Sequence, residues 1–291
     1  MKDTKVGLVG VGLMGQGIAV NIQRSGAELY FLAHEGNKST DAIIAAGGHA
    51  VQLGCDLAAC CETIILCVTG SPQVEDILTR DDGILEGLRP GAVIIDCSTA
   101  MPDSTQRMAE LVTAAGGHFL DAPMTRTPKE AAAGKLNLIV GGEEHIFDSR
   151  LPLLRTFAEN ITYAGPVGSG HMMKLLHNFV SLGFSVVLAE AAVTARRAGI
   201  EPSVFTEVLE KGGGRGAVLD RLAPFIERQD TSHFQFTLSN ACKDTGYYLE
   251  TAKSLGLATR TAEAVQHTYR TAVDAGNEQA VVPELIRLLD E

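Results

Sequence analysis

Three polar residues stand where polarity is costly. Lys174, His177 and Asn178 fall within a run from His171 to about Arg196 that is otherwise apolar or strongly helix-forming, lacks proline and is interrupted only by Gly183. On a helix, Lys174 and Asn178 are one turn apart on the same face, and His177 lies on nearly the same side. An ammonium on such a rod is desolvated, which lowers its pKa and lets it exchange a proton near neutral pH, as a general acid or base must. A lysine in the first turns of a helix also snorkels to the surface without doing chemistry. The surrounding elements decide between the two.

The helix is opened by the Gly/Pro-rich turn Gly165-Pro166-Val167-Gly168-Ser169-Gly170, and Gly199 supplies a C-cap, giving a span of about 168–198. Apolar side chains on every face predict burial all round, between domains or subunits. Lys174, His177, Asn178 and Glu190 all fall within a window of roughly 20 residues, which argues against a membrane span. With 291 residues, 45% of them hydrophobic, the chain buries a sizeable core and is expected to form two domains.

A net charge of -11 without a Lys/Arg cluster makes nucleic acid and anionic membranes poor partners. Met1 to Lys5 lead into a short Val/Gly run that reads as a first strand, not as a signal peptide. The six cysteines include no C-x-x-C pair, as expected of buried thiols in a reducing cytoplasm. The eight histidines show no metal-ligand spacing, so no metal is expected. There is no G-x-S-x-G elbow or Walker A sequence either.

Lys5-Val6-Gly7-Leu8-Val9-Gly10 is a buried-strand pattern running into Gly10-Val11-Gly12-Leu13-Met14-Gly15, and an apolar helical stretch follows to Ser25-Gly26. This is G-x-G-x-x-G in its proper setting. The first glycine allows a tight turn, the second admits a pyrophosphate, the third permits close packing, and the helix N-terminus faces the phosphates. Glu28 to Ala33 form the second strand, whose end chooses between NAD and NADP. No acidic residue stands at the strand end: the position is Ala33 or His34, with Glu35 one step late. His34, Asn37 and Lys38 suit a 2′-phosphate, so the balance favours NADP with NAD kept open.

Further strand patterns at Thr63 to Val68, Ala92 to Cys97, His118 to Ala122, Leu136 to Val140 and Asn160 to Ala164 alternate with helical ones. Such alternation predicts right-handed βαβ units in a mainly parallel sheet, with ligands at the carboxyl ends of the strands. The loops Thr69 to Pro72, Ser98 to Pro102 and Pro123 to Pro128 lie there. After the long helix the pattern is helical throughout. Glu201-Pro202 is a start signal and Gly212 to Gly216 a hinge.

In this order the features resemble the β-hydroxyacid dehydrogenase family, which includes 3-hydroxyisobutyrate dehydrogenases and tartronate, glyoxylate-succinic semialdehyde and sulfolactaldehyde reductases. The resemblance covers nearly the whole chain. Gly10 to Gly15 match its cofactor fingerprint, Asp96-Cys97-Ser98-Thr99 its D-x-S-T segment and Asp121-Ala122-Pro123 the start of its substrate loop. Gly168-Ser169-Gly170 through Lys174 to Asn178 match G-x-G-x-x-x-K-x-x-x-N, and Lys243-Asp244 match a late K-D motif.

The resemblance implies a Rossmann-type α/β domain (1–164), an all-α domain for substrate and oligomer contacts (165–291), a long interdomain helix, and a homodimer or homotetramer. Lys174 becomes the acid/base. Ser98, Thr125, Arg126, Thr127, His177 and Asn178 become substrate contacts. Gly10, Gly12, Leu13, Met14, Gly15, His34, Lys38, Cys67, Val68, Thr99 and Lys243 become cofactor contacts. The chain departs from the family in two places. Thr125-Arg126-Thr127 replaces the usual Ser-Gly-Gly, and His177 replaces an asparagine. A similar Arg-Thr pair in the sulfolactaldehyde branch points to a strongly anionic substrate end; Arg126 pairing with Glu130 at the surface is the plainer alternative. The expected function is an NAD(P)-dependent interconversion of a small 3-hydroxy acid, or a related anionic hydroxy compound, with its semialdehyde or ketone. The alternatives are an imine reductase, whose members usually replace the lysine, and a non-catalytic cofactor-binding sensor.

Overall fold

A computed structural model describes residues 4–290; the expectation drawn from Met1 to Asp3 lies outside the described residues. The chain divides into two compact units, Met1–Lys174 and Leu175–Glu291.

The first unit alternates strands and helices. In chain order they are β1 (Lys5–Val9), α1 (Leu13–Arg24), β2 (Glu28–Leu32), α2 (Asp41–Ala45), β3 (His49–Val51), α3 (Gly54–Cys60), β4 (Thr63–Leu66), α4 (Ser71–Thr79), α5 (Ile84–Gly87), β5 (Val93–Asp96), α6 (Pro102–Ala114), β6 (His118–Asp121), β7 (Met124–Thr125), α7 (Pro128–Ala132), β8 (Leu136–Gly141), α8 (Glu144–Leu154) and β9 (Ala158–Gly165). They form one sheet in the order β3-β2-β1-β4-β5-β6-β8-β7, with β9 beside β8. Pairing is parallel from β3 to β6. It reverses where β8 meets β6 and β7, while β9 runs parallel to β8. The expected mainly parallel sheet is therefore present, with an antiparallel seam that the sequence pattern did not signal.

The central strands are apolar on both faces because helices cover both. Side-chain alternation sends Ile65 and Ile95 into one core with Ile18, Ile22 and Phe157, and Ile64 and Ile94 into another with Leu57, Leu78 and Val112. β3, absent from the sequence reading, is a three-residue strand with His49 and Ala50 exposed, too short and too wet to leave an apolar run. Strand order changes direction between β1 and β4, so the crevice outside their carboxyl ends is where a doubly wound sheet takes its ligand.

Helix α9 (Ser169–Arg197) starts in the first unit and runs on through the second. Its end is a left-handed glycine cap: Gly199 has φ 75° and donates its N–H to Arg196 O, while Ile200 N reaches back to Ala195 O. The second unit continues with α10 (Pro202–Lys211), α11 (Ala217–Arg228), α12 (Leu238–Ser254), α13 (Arg260–Asp274) and α14 (Leu285–Leu288). Pro202 opens α10, and Gly212 to Gly216 join it to α11. Leu182, Val186 and Ala189 of α9 pack with Leu219, Leu222, Leu238 and Tyr269. Tyr269 is fully buried and gives its hydroxyl proton to Leu182 O at 3.0 Å. The expected all-round burial of α9 is not met within one chain. Val180 and Val187, seven residues apart and so on one face, are 70% and 60% exposed.

Helix α1 approaches α7 closely at Gly17. A Cβ there would lie 2.4 Å from the Ala131 carbonyl carbon of α7, and one turn later Asn21 Nδ2 donates to Ala131 O at 2.9 Å. Gly17→Ala is expected to lower unfolding stability by about 1–3 kcal/mol, the usual cost of overpacking. Gly12→Ala should leave stability nearly unchanged, because a Cβ at Gly12 meets no atom within 4 Å. Denaturant titration of both variants checks the contrast.

Candidate active site

The turn between β1 and α1 is closed by two glycines. Gly10 has φ 91°, and a side chain on it would strike Cys67 O at 2.3 Å. One on Gly15 would strike Gly10 O at 2.0 Å. The third glycine thus serves the turn itself, and close helix packing belongs to Gly17, which the sequence reading did not single out. Gly12 is the N-cap of α1 and brings no capping side chain, and a Cβ there would meet no atom within 4 Å. That is a cradle for an anion at a positive helix end. Leu13 is 62% exposed beside it, and Met14 packs against the core.

The loop after β2 braces this turn. Asn37 Oδ1 accepts from Val11 N at 3.0 Å, Asn37 Nδ2 donates to Leu32 O at 2.9 Å, and Lys38 N donates to Val11 O at 2.9 Å. The His34 ring accepts from Gly36 N through Nδ1 at 2.9 Å. Asn37, read from sequence as a phosphate group, spends its amide on holding the loop to the glycine turn. His34 and Lys38 are exposed at the end of β2.

At the ends of β4 and β5, Ser98 Oγ accepts from Val68 N at 3.1 Å, and Ser98 N donates to Asp96 Oδ1 at 2.9 Å. Cys67, Val68, Ser98 and Thr99 are thereby gathered at one edge of the sheet. Burial pushes the Cys67 thiol up to about 12, so it packs as a neutral thiol and is no nucleophile.

Beyond β6 the chain reverses into β7 and the loop to α7. Thr127 caps α7 with Glu130, whose Oε2 accepts from Thr127 N at 3.0 Å and Thr127 Oγ1 at 2.5 Å. Arg126 has φ 80°, a left-handed conformation that costs a non-glycine residue about 1–3 kcal/mol. Its Nη1 donates to Lys135 O at 2.5 Å and to Glu159 Oε2 at 2.6 Å. The surface pairing foreseen with Glu130 is made with Glu159 instead, because Glu130 is taken up by the cap. Thr125 Oγ1 accepts from Asn137 Nδ2 at 3.1 Å. Lys174, at 8% exposure, donates from Nζ to Met124 O at 2.6 Å.

In the second unit, Asn178 is 6% exposed and donates from Nδ2 to Asp244 Oδ2 at 2.6 Å. Asp244 Oδ1 lies 2.7 Å from Lys243 Nζ, which also sits 4.9 Å from the centre of the Tyr247 ring. With Asn178 Nδ2 committed to a carboxylate, its Oδ1 is the atom 2.9 Å from His177 Nδ1, so His177 is the donor of that bond. Asp244 is the residue the sequence reading undervalued. In sequence it stands only as half of the K-D motif, although its carboxylate orients Asn178.

Residues 5–165 match the model of the NAD-binding domain of 6-phosphogluconate dehydrogenase, and 168–289 match the NAD-binding domain of NADP-dependent 3-hydroxyisobutyrate dehydrogenase. A 2-(hydroxymethyl)glutarate dehydrogenase of Eubacterium barkeri is 31% identical over 87% of this chain and 83% of its own. The chain belongs to the β-hydroxyacid dehydrogenase family. A 2-hydroxy-3-oxopropionate reductase of Escherichia coli is 28% identical over 98% of this chain and 97% of its own. The solved 3-hydroxyisobutyrate dehydrogenase of Salmonella typhimurium superposes with a TM-score of 0.85 at 26% identity, covering 98% of this chain and all of that one. As in the family, the cofactor is NAD or NADP, and the open, uncapped turn at Gly12 fits its pyrophosphate.

Because Asn37 holds the glycine turn to the end of β2, Asn37→Ala should weaken NADH and NADPH alike, by about fivefold each, the worth of roughly 1 kcal/mol for one hydrogen bond. Fluorescence titration with both cofactors measures it. A loss confined to NADPH would restore Asn37 to the phosphate.

Proposed function

We propose that this dehydrogenase interconverts a small 3-hydroxy acid, or a related anionic hydroxy compound, and its semialdehyde or keto form, with Lys174 as acid/base. The observation that carries the reading is the Lys174 ammonium, buried and hydrogen-bonded to Met124 O. A buried ammonium that a backbone carbonyl holds in place is positioned to exchange a proton with a carbonyl or alkoxide oxygen. The nicotinamide ring of NAD(P) supplies or takes the hydride. In reduction Lys174 gives a proton to the nascent alkoxide; in oxidation it receives the proton of the hydroxyl. The names of the two curated relatives, a 2-(hydroxymethyl)glutarate dehydrogenase and a 2-hydroxy-3-oxopropionate reductase, support a small carboxylate as substrate.

Residues 1–164 hold the cofactor in this reading, and 165–291 complete the substrate site and the oligomer. The turn from Gly10 to Gly15 with Cys67, Val68, Thr99 and Lys243 serves the cofactor. Ser98, Thr125, Thr127, His177 and Asn178 serve the substrate. A preference for NADPH rests on Lys38 with His34, against Glu35. The exposed Val180 and Val187 support a homodimer or homotetramer, and six free cysteines support a reducing cytoplasm.

Lys174→Ala should lower kcat by roughly a hundredfold or more, the worth of a positioned acid/base group, with the cofactor Kd little changed. Retention of kcat would sink the assignment. Steady-state rates on a panel of hydroxy acids and semialdehydes, sulfonated and phosphorylated ones included, measure the effect and find the substrate.

Arg126 joins the substrate site in this reading only by leaving Glu159, so an anionic substrate competes with that carboxylate. Exposed pairs of this kind are worth about 1 kcal/mol at most, which an incoming carboxylate or sulfonate can match. Glu159→Gln should then lower the KM of the anionic substrate severalfold, and Arg126→Ala should raise it. Equal KM values in wild type, Glu159→Gln and Arg126→Ala would take Arg126 out of the site.

A further inference from the structure

Beneath the ends of β5 and β6 lies a group of ionisable side chains that the proposed chemistry does not use. His171, Asp96 and Asp121 are each 0% exposed. Asp121 receives the first turn of α9: its Oδ1 accepts from Gly168 N and its Oδ2 from His171 N, both at 2.8 Å. That turn is pressed hard against the sheet, since a Cβ on Gly170 would come within 2.4 Å of Ile139 O and 2.6 Å of Asp121 O. Asp96 Oδ1 accepts from Ser98 N, whereas the equally buried Asp96 Oδ2 has no hydrogen-bond partner among the described residues. The His171 ring faces both carboxylates, with Nε2 3.8 Å from Asp96 Oδ2 and Nδ1 3.9 Å from Asp121 Oδ2.

The ring's hydrogen-bond partners favour one proton count. Nε2 lies 3.3 Å from the Ser98 carbonyl, which can only accept, so Nε2 carries a proton. Nδ1 lies 2.7 Å from Thr105 Oγ1. The single hydroxyl proton of Thr105 goes to Met101 O at 3.0 Å, so the Nδ1 contact is complete only if Nδ1 donates. A neutral ring satisfies two of these three bonds, and an imidazolium satisfies all three. It also gives the stranded Asp96 oxygen a facing cation, as a buried carboxylate requires. Burial pushes the Asp96 carboxyl above its ordinary range, and of the groups that draw it back the His171 ring is the strongest.

We propose that His171 is a positioning residue: held as an imidazolium between Asp96 and Asp121, it locks the first turn of α9 onto the ends of β5 and β6. It thereby sets Lys174, three residues further along the helix, and the loop that carries Ser98. The inference rests on Lys174 as acid/base for its catalytic consequence but not for the charge state.

Two measurements on the full-length protein test it. In wild type labelled with 15N-histidine, both ring nitrogens of His171 should resonate as N–H at pH 7, the signals being assigned by their loss in His171→Gln. A bare-nitrogen signal overturns the imidazolium. In the kinetic arm, His171→Gln should lower kcat per cofactor-binding molecule by roughly tenfold to a hundredfold, the cost of a small misplacement of a catalytic group. The cofactor KM should change by under about twofold. Adding Asp96→Asn, which removes the uncompensated charge, should return much of the Tm lost in His171→Gln. A loss of activity that only follows the folded fraction, or no rescue of Tm, refutes the positioning role. Lys174→Ala that keeps full activity while the His171 nitrogens remain N–H would refute the acid/base reading and leave the buried imidazolium standing.

Discussion

An ammonium taken out of water costs several kcal/mol unless its protons find acceptors, and the site is built around meeting that cost for Lys174. One acceptor is a backbone carbonyl, Met124 O, so under the proposed acid/base role the path of the main chain after β6 helps to position the proton donor. For Met124 to stand there the chain must reverse after Asp121, pair for two residues against β8, and turn through the left-handed Arg126. For Lys174 to stand there α9 must begin at one place, and the Asp121 carboxylate fixes it by receiving the N–H groups of Gly168 and His171. Strand end, reversed strand and helix start answer to the same buried charge.

Much of this was legible in the sequence, for identifiable reasons. The glycine turn can be read because its residues are demanded by backbone geometry: Gly10 by its dihedral, Gly15 by the nearness of a carbonyl. The strands β1, β4, β5 and β6 announce themselves as apolar runs because they are covered on both faces. Helix α9 is visible because Gly199 ends it and proline is absent throughout. Lys174 and Asn178 stand out because a stripe of polar groups on an apolar helix has few bland explanations.

What the sequence withheld depends on pairs that are distant in the chain. Arg126 and Glu159 are 33 residues apart, and no local pattern joins them; Glu130 was the nearer and wrong partner because its carboxylate is spent on the Thr127 cap. Asn37 offered a side chain suited to phosphate, and only the fold shows both ends of its amide used by Val11 and Leu32. His171 was one more letter in a helix start until Asp96, Thr105 and Asp121 closed around it. The antiparallel seam at β8 left no trace because the strand's apolar content is the same whichever way its neighbour runs.

Helix α1 carries the dinucleotide turn at its N-terminus and rests on α7 through Gly17 and Asn21. Helix α7 is five residues long and is capped by Thr127, at the end of the reversed loop. Between the glycine turn and that loop stand a close backbone approach at Gly17 and the Asn21 amide bonded to Ala131 O. A displacement of α1 would meet α7 directly at Gly17. If a cofactor at the turn and a substrate at the loop both shift that contact, linkage makes their effects on each other's affinity equal. A glycine that looks like a packing convenience would then set the strength of that coupling.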